Sequence, residues 1–161
     1  IISIAMVHDV FACQNSDSVD LKELCQRILH GLLESSALPE QNIETQVEGL
    51  QLILPNSQAV PLALVINELL TNSFKHGVRS LNKGVISLMI SETKETIQLS
   101  VRDNGPEPIV PFDQVKQRHL GLQIVDSLIG EQLGGEFNME RIEGMTCVTV
   151  SFPKHNLEEQ S

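Results

Sequence analysis

Residues 58 to 76 place two chemistries on one helical period, and this constrains the fold more than any other stretch of the chain. Leu62, Ile66, Leu69, Leu70 and Phe74 fall on one side, the apolar stripe by which a helix docks onto a sheet. At roughly 100° per residue, Glu68, Asn72 and Lys75 share the opposite arc, with Asn67 and Thr71 extending it and His76 at its edge. Such a helix calls for a sheet beneath it and leaves its other face free for chemistry. Pro61 suits an early turn of this helix and Gly77 the left-handed position just past its end.

The sheet is legible downstream. Residues 85 to 91 (VISLMIS) and 96 to 102 (TIQLSVR) alternate in the strand period and are joined by Glu92 to Glu95, as in a hairpin. Two further strands are expected near Glu136 to Arg141 and Thr146 to Phe152, turning at Glu143 and Gly144. Ile43, Thr45 and Val47 alternate, and Leu50, Leu52 and Leu54 follow out of phase, which predicts two short strands with a turn at Gly49. Helical spacing over residues 20 to 36 predicts a helix capped by Asp20 or Ser18, and it resumes from Gly121 until Gly134 and Gly135. Residues 1 to 13 also read as helical. Segment 104 to 119 has three prolines and no period, so it is expected to be a loop long enough to act as a lid. Hairpins with helices between them imply an α+β fold, a two-layer α/β sandwich with a mostly antiparallel sheet covered by helices on one face.

Composition excludes several functions. The 161 residues suit about one domain, and a net charge of -10 opposes binding along a phosphate backbone, which needs clustered cations. Nucleic acid is not an expected partner. Cys13, Cys25 and Cys147 are odd in number, far apart and without metal-ligand spacing, which fits a reducing compartment and a cytoplasmic location. No apolar run is long enough to span a bilayer, although segments beyond these residues could anchor a longer protein. Neither GxGxxG nor GxxxxGK[ST] is present, so a nucleotide would have to bind in another way.

Two further elements join the polar stripe. Asp103 stands where an alternating strand stops, followed by Asn104 and Gly105. A carboxylate fixed there can accept from an exocyclic amine, and Gly105 removes a side chain that would block a flat ring. Leu120, Gly121 and Leu122 open a helix, where unpaired N–H groups and the positive dipole end attract anions. Taken singly, each has an ordinary reading: a solvated helix face, a turn-forming Asp, a tight helix entry. Their combination could hold base, phosphates and metal in turn.

In this order the motifs resemble those of the ATP-binding domain of sensor histidine kinases, in the superfamily shared with gyrase, heat-shock chaperones and mismatch-repair ATPases. NELLTNSFKHG resembles the N box, DNGP the G1 box, HLGLQIV the G2 box and TCVTVSFP the closing strand. SIAMVHDVF followed by SVDLKELCQRIL is similar to the HisKA_2 type, and the resemblance covers roughly residues 1 to 153. It implies a Bergerat-type ATP-binding fold with residues 1–16 ending a dimerisation and phosphoacceptor helical region, 17–155 forming the catalytic domain and 156–161 a polar tail.

The resemblance also implies roles. Asn72 would ligate Mg²⁺, Lys75 would neutralise phosphate charge, and Glu68 would polarise the incoming histidine or support the metal shell. His76 would lie near the nucleotide, Asp103 would bind the adenine amine and Gly105 would admit the base. Leu120, Gly121 and Leu122 would border the phosphates, the last two offering N–H groups, and Thr146 would bond near the adenine. Three positions depart from the family pattern: Pro106 and Glu107 follow Gly105, His119 replaces the first glycine of the G2 box, and Met145 stands where a glycine often precedes the threonine.

The implied reaction moves the γ-phosphoryl of ATP to a histidine. None of the five histidines lies in a motif like HRxKN, so the acceptor is expected before Ile1, in the phosphoacceptor helical domain of the same protein. A response regulator and a homodimer of the full-length protein are the further partners implied. The alternatives are an anti-sigma-factor-type serine kinase of the same fold, which the HisKA_2-like words oppose, and an interaction module without kinase activity.

Overall fold

A computed structural model of the chain describes residues 17 to 108 and 110 to 154. The expected helix at 1 to 13 and the tail from 156 lie outside them. In chain order the elements are β1 (Ser18–Asp20), α1 (Leu21–Ser36), β2 (Asn42–Gly49), β3 (Ile53–Pro55), α2 (Asn56–Asn72), β4 (Lys83–Glu92), β5 (Thr96–Asp103), α3 (Phe112–Arg118), α4 (Leu120–Ser127), β6 (Glu136–Ile142) and β7 (Met145–Pro153). Wide π turns extend α2 through Ser73–Val78 and α4 through Leu128–Gln132.

Five strands form the main sheet in the order β2-β4-β5-β7-β6, with β2 parallel to β4 and every other pair antiparallel. Ile86, Leu88 and Ile90 of β4 and Ile97, Leu99 and Val101 of β5 are buried, while Met89, Gln98 and Arg102 between them are exposed. The helices therefore cover one face, as the alternation requires. α1 opens on Asp20, whose carboxylate accepts from the N–H groups of Lys22 at 2.9 Å and Glu23 at 3.3 Å. Ser18 lies in β1. Cys25 is buried in the core, and burial pushes its thiol pKa up to about 12.

The strands at 42–49 and 53–55 exist, but they are not partners. β3 pairs antiparallel with β1, while β2 joins the main sheet through α2, the kind of crossover that a parallel pair needs. The chain leaves β2 at Gly49, with φ of 103°. The segment read as a lid loop contains α3, whose seven residues are too few to show a helical period. Val115 of α3 packs on the core, and His119 ends α3 and begins α4.

α2 begins two residues earlier than its period suggested, so Pro61 lies in the second turn. Leu62, Ile66, Leu69, Leu70 and Phe74 are all buried as expected. The far face is less open than the stripe implied, since Asn67 is 1% exposed and Glu68 5%. Gly77 does not cap the helix in the left-handed conformation; it lies inside the π turn, and its φ is not positive.

Candidate functional site

Two adjoining cavities open over the C-terminal half of α2. The first, of about 410 Å³, lies between the end of α2, the ends of β5 and β7, and residues 106 to 119. Its walls are largely apolar, with Leu69, Val115, Leu122, Met139 and Val148, and Asp103 and Thr146 supply polar groups. The second, of about 290 Å³, is bordered by Glu68, Thr71, Lys75, Leu120, Gly121 and Ile124. Asn72, His76 and His119 line both. The imidazole rings of His76 and His119 are 5.6 Å apart and tilted by 57°, so this pair marks the junction.

Asp103 and Thr146 are register partners at the meeting of β5 and β7, which places both side chains at one end of the first cavity. The Asp103 carboxylate is buried and accepts the Gly105 N–H at 3.0 Å, and the Ser73 hydroxyl also bonds to it. Burial raises its pKa above the usual carboxylate value, opposed by those two hydrogen bonds and the nearby Arg141 guanidinium. A buried carboxylate facing an apolar slot can accept a hydrogen bond from a donor placed there.

In the second cavity, Glu68 points at the first turn of α4. A β-carbon on Gly121 would collide with the Glu68 carboxylate, so the absent side chain at 121 is what admits it. Glu68 Oε2 is buried without a hydrogen-bond partner. The His119 side chain caps none of the first N–H groups of α4. Lys75 is exposed at the rim. Burial, then the His119 ring and the Lys75 ammonium, hold the His76 imidazole below its usual pKa, with Glu68 acting against them.

The structure thus brings Glu68, Asn72, Lys75, His76, Leu120 and Gly121 to one cavity and Asp103, Leu122 and Thr146 to the other. Gly105 lines neither. A β-carbon there would strike the Gly77 backbone, with Gly77 Cα 2.5 Å away, so its glycine serves the packing of the turn on the π segment. Asn67 also lines neither cavity, although it shares the helical arc. Sequence reasoning missed Ser73, Gly77 and Arg141. Arg141 was within reach, because a turn at Glu143 and Gly144 sets it opposite Thr146 in the hairpin register.

The family model for histidine kinase-, DNA gyrase B- and HSP90-like ATPases matches residues 57–156. The chain belongs to this family. The sensor histidine kinase PdtaS of Mycolicibacterium smegmatis is 29% identical over 153 residues, which cover 94% of this chain and 30% of that protein. The chain spans about a third of the length of the curated relatives it matches. Among solved structures, the Erythrobacter litoralis EL346 blue-light activated histidine kinase matches with a TM-score of 0.74 at 25% identity, over 88% of this chain and 44% of that one. Histidine kinase ThkA in complex with the response regulator protein TrrA matches with a TM-score of 0.68 at 18% identity, over 94% of this chain and 47% of that one.

A divalent cation would find the Asn72 carboxamide at the junction of the two cavities and the unpartnered Glu68 oxygen beside it. Among the described residues no cluster of three His, Cys, Asp or Glu side chains could hold a metal. That donor set suits a hard cation such as Mg²⁺, which takes few protein ligands and draws the rest from phosphate and water. No helix among the described residues is long and apolar enough to cross a membrane.

Proposed function

We propose that this domain binds ATP with its base in the first cavity and its phosphates in the second, and serves as the catalytic domain of a sensor histidine kinase. The observation that carries the reading is the polarity of the paired cavities. A buried carboxylate closes the apolar end, and an ammonium and a helix N-terminus border the other.

Asp103 would accept from the exocyclic amine of adenine, with Thr146 beside it. Lys75 and the backbone N–H groups of Gly121 and Leu122 would offset phosphate charge, and Leu120 and His76 would border the same stretch. Asn72 would hold Mg²⁺, which when bound screens the phosphate oxygens from the incoming nucleophile. Glu68 would accept a hydrogen bond from one nitrogen of the acceptor imidazole, leaving the other free to attack the γ-phosphorus as ADP departs. The catalytic work of the protein is therefore position and charge, not covalent chemistry.

The relatives are sensor histidine kinases by name, and this favours the kinase reading over an anti-sigma-factor-type serine kinase. The acceptor histidine would lie in a helical domain of the same protein, and the full-length protein would work as a homodimer. A response regulator would take the phosphoryl onward, as the ThkA–TrrA pair suggests by analogy.

The test is calorimetric titration with ATP, with and without Mg²⁺. Wild type binds, Asp103→Asn loses recognition of the base, and Asn72→Ala loses the dependence on Mg²⁺. Absence of binding to the wild type would overturn the reading. Incubation with labelled ATP should give negligible self-labelling until an acceptor helix is supplied in trans.

A further inference from the structure

Arg141 lies in none of the motifs, yet it ties together three points around the base end of the first cavity. One guanidinium nitrogen, Nη1, donates to the Gly105 carbonyl and to Thr146 Oγ1, each at 2.8 Å. The other, Nη2, donates to the Gly144 carbonyl at 2.7 Å, bracing the hairpin turn from which Arg141 projects. That turn holds positive φ at both Glu143 and Gly144, which fixes the register and sets Arg141 across from Thr146.

Each contact has a consequence for recognition. Arg141 holds the carbonyl of Gly105, and the N–H of the same residue donates to Asp103 Oδ1, so the guanidinium anchors the turn residue whose preceding peptide orients the carboxylate. A hydroxyl has one proton and two lone pairs, and an arginine can only donate. The bond from Arg141 therefore makes Thr146 Oγ1 an acceptor on that side and leaves its proton to be donated elsewhere. Thr146 is buried and lines the cavity, so the cavity is where a partner for that proton can sit.

We propose that Arg141 is a positioning residue for base selection, fixing Asp103 as acceptor and Thr146 as donor at the apolar end of the cavity. This rests on the ATP-binding reading above. An acceptor beside a donor complements adenine, which carries an exocyclic amine next to a ring nitrogen lone pair. Guanine presents a carbonyl oxygen and a ring N–H in the corresponding places and meets both groups with the wrong polarity. Arg141 contributes by occupying one lone pair of the hydroxyl and, as a cation, turning the hydroxyl proton away from itself, which biases Thr146 toward donation into the cavity.

The test compares ATP and GTP affinities for the 161-residue chain as wild type, Arg141→Met, Arg141→Lys, Thr146→Val and the Arg141→Met/Thr146→Val double variant, with circular dichroism as a check on folding. Arg141→Met should lower the ATP:GTP affinity ratio by about tenfold, the scale of one charge-assisted hydrogen bond. Arg141→Lys, which keeps a donor and the charge, should restore part of the ratio. Adding Thr146→Val to Arg141→Met should cost little further discrimination, because the two residues act through one contact.

A merely structural role would weaken ATP and GTP equally and leave the ratio where it was. That result, or full additivity of the two substitutions, overturns the proposal while leaving ATP binding intact. Failure of both single Arg141 variants to fold would assign Arg141 to hairpin stability alone and overturn it as well. A wild-type chain that binds no ATP would instead remove the reading on which it rests.

Discussion

Gly77 lies directly against the carboxylate of Asp103. A β-carbon at 77 would stand 2.6 Å from Oδ1 and 2.7 Å from Cγ. On its other side Gly77 supports Gly105, whose own β-carbon would strike the Gly77 backbone. The π turn thus brings a bare stretch of main chain to the end of β5, and Asp103 is seated by what is missing there. π turns recur at functional sites because one extra residue re-aims the side chains that follow.

Gly77→Ala should therefore impair recognition before it impairs the fold. The added methyl pushes on a carboxylate already held by the Gly105 N–H and the Ser73 hydroxyl, so these bonds lengthen or break. ATP affinity should fall at least tenfold, against a stability loss on the order of 1–3 kcal/mol typical of an overpacked site. Titration with ATP alongside urea denaturation separates the two. A fall in stability with unchanged affinity would show that Asp103 is not the base-recognising group.

Asp103→Asn should stabilise the protein while disabling it. Burial raises the folded pKa above the unfolded value, so the stability that the protonated form contributes is complete below the ordinary carboxylate value and is lost as pH rises through the raised one. An amide has no charge to desolvate and can still accept from Gly105. Near neutral pH the variant should melt a few degrees higher, a gain on the order of 1 kcal/mol, and its melting temperature should vary less with pH. A lower melting temperature than wild type at pH 7 would mean that the Gly105 and Ser73 bonds outweigh desolvation.

Gly121 and Glu68 repeat the relationship in the second cavity. Gly121→Ala drives a methyl into the Glu68 carboxylate, and the helix start or the side chain has to move. The substitution should cost on the order of 1–3 kcal/mol, and Glu68→Ser in the same chain should recover most of it. Denaturant melts of the four proteins in the cycle give the coupling directly. Additive losses would place the clash elsewhere, at the backbone of α4.

Much of this was legible because it is local. The α2 stripe, the β4–β5 hairpin and the turn at Glu143 and Gly144 are written in residue periods and turn chemistry, and the order of the motifs brought Glu68, Asn72 and Lys75 together with Asp103 and Gly121. What escaped depends on contacts between distant segments. No period announces a π turn, so Gly77 read as a helix stop when its lack of a side chain serves Asp103. The pairing of β3 with β1 involves three residues on each side, too few to alternate persuasively. α3 is short and follows three closely spaced prolines, and the contact of Gly105 with the Gly77 backbone joins segments distant in sequence. Arg141 lay outside every motif; the hairpin register could place it opposite Thr146, but its bond to Gly105, in the turn after β5, joins segments distant in sequence.

The His76–His119 junction predicts a proton linkage to nucleotide binding. His76 is held below its usual pKa by burial, His119 and Lys75, while Glu68 pulls the other way and Arg79 adds to the lowering. For an imidazole depressed in the folded state, the stability contributed by the neutral form is complete above the usual value, about 6.5, and is lost as pH falls below it. A triphosphate in the second cavity would offset the Lys75 charge and favour imidazolium, so ATP binding just below that pH should take up protons at His76. Calorimetry in buffers of different ionisation enthalpy measures that uptake as a slope, and His76→Gln should reduce it while leaving the Asp103 end of the site intact. Equal slopes for the two proteins would place the phosphates away from this junction and break the proposed orientation of the nucleotide.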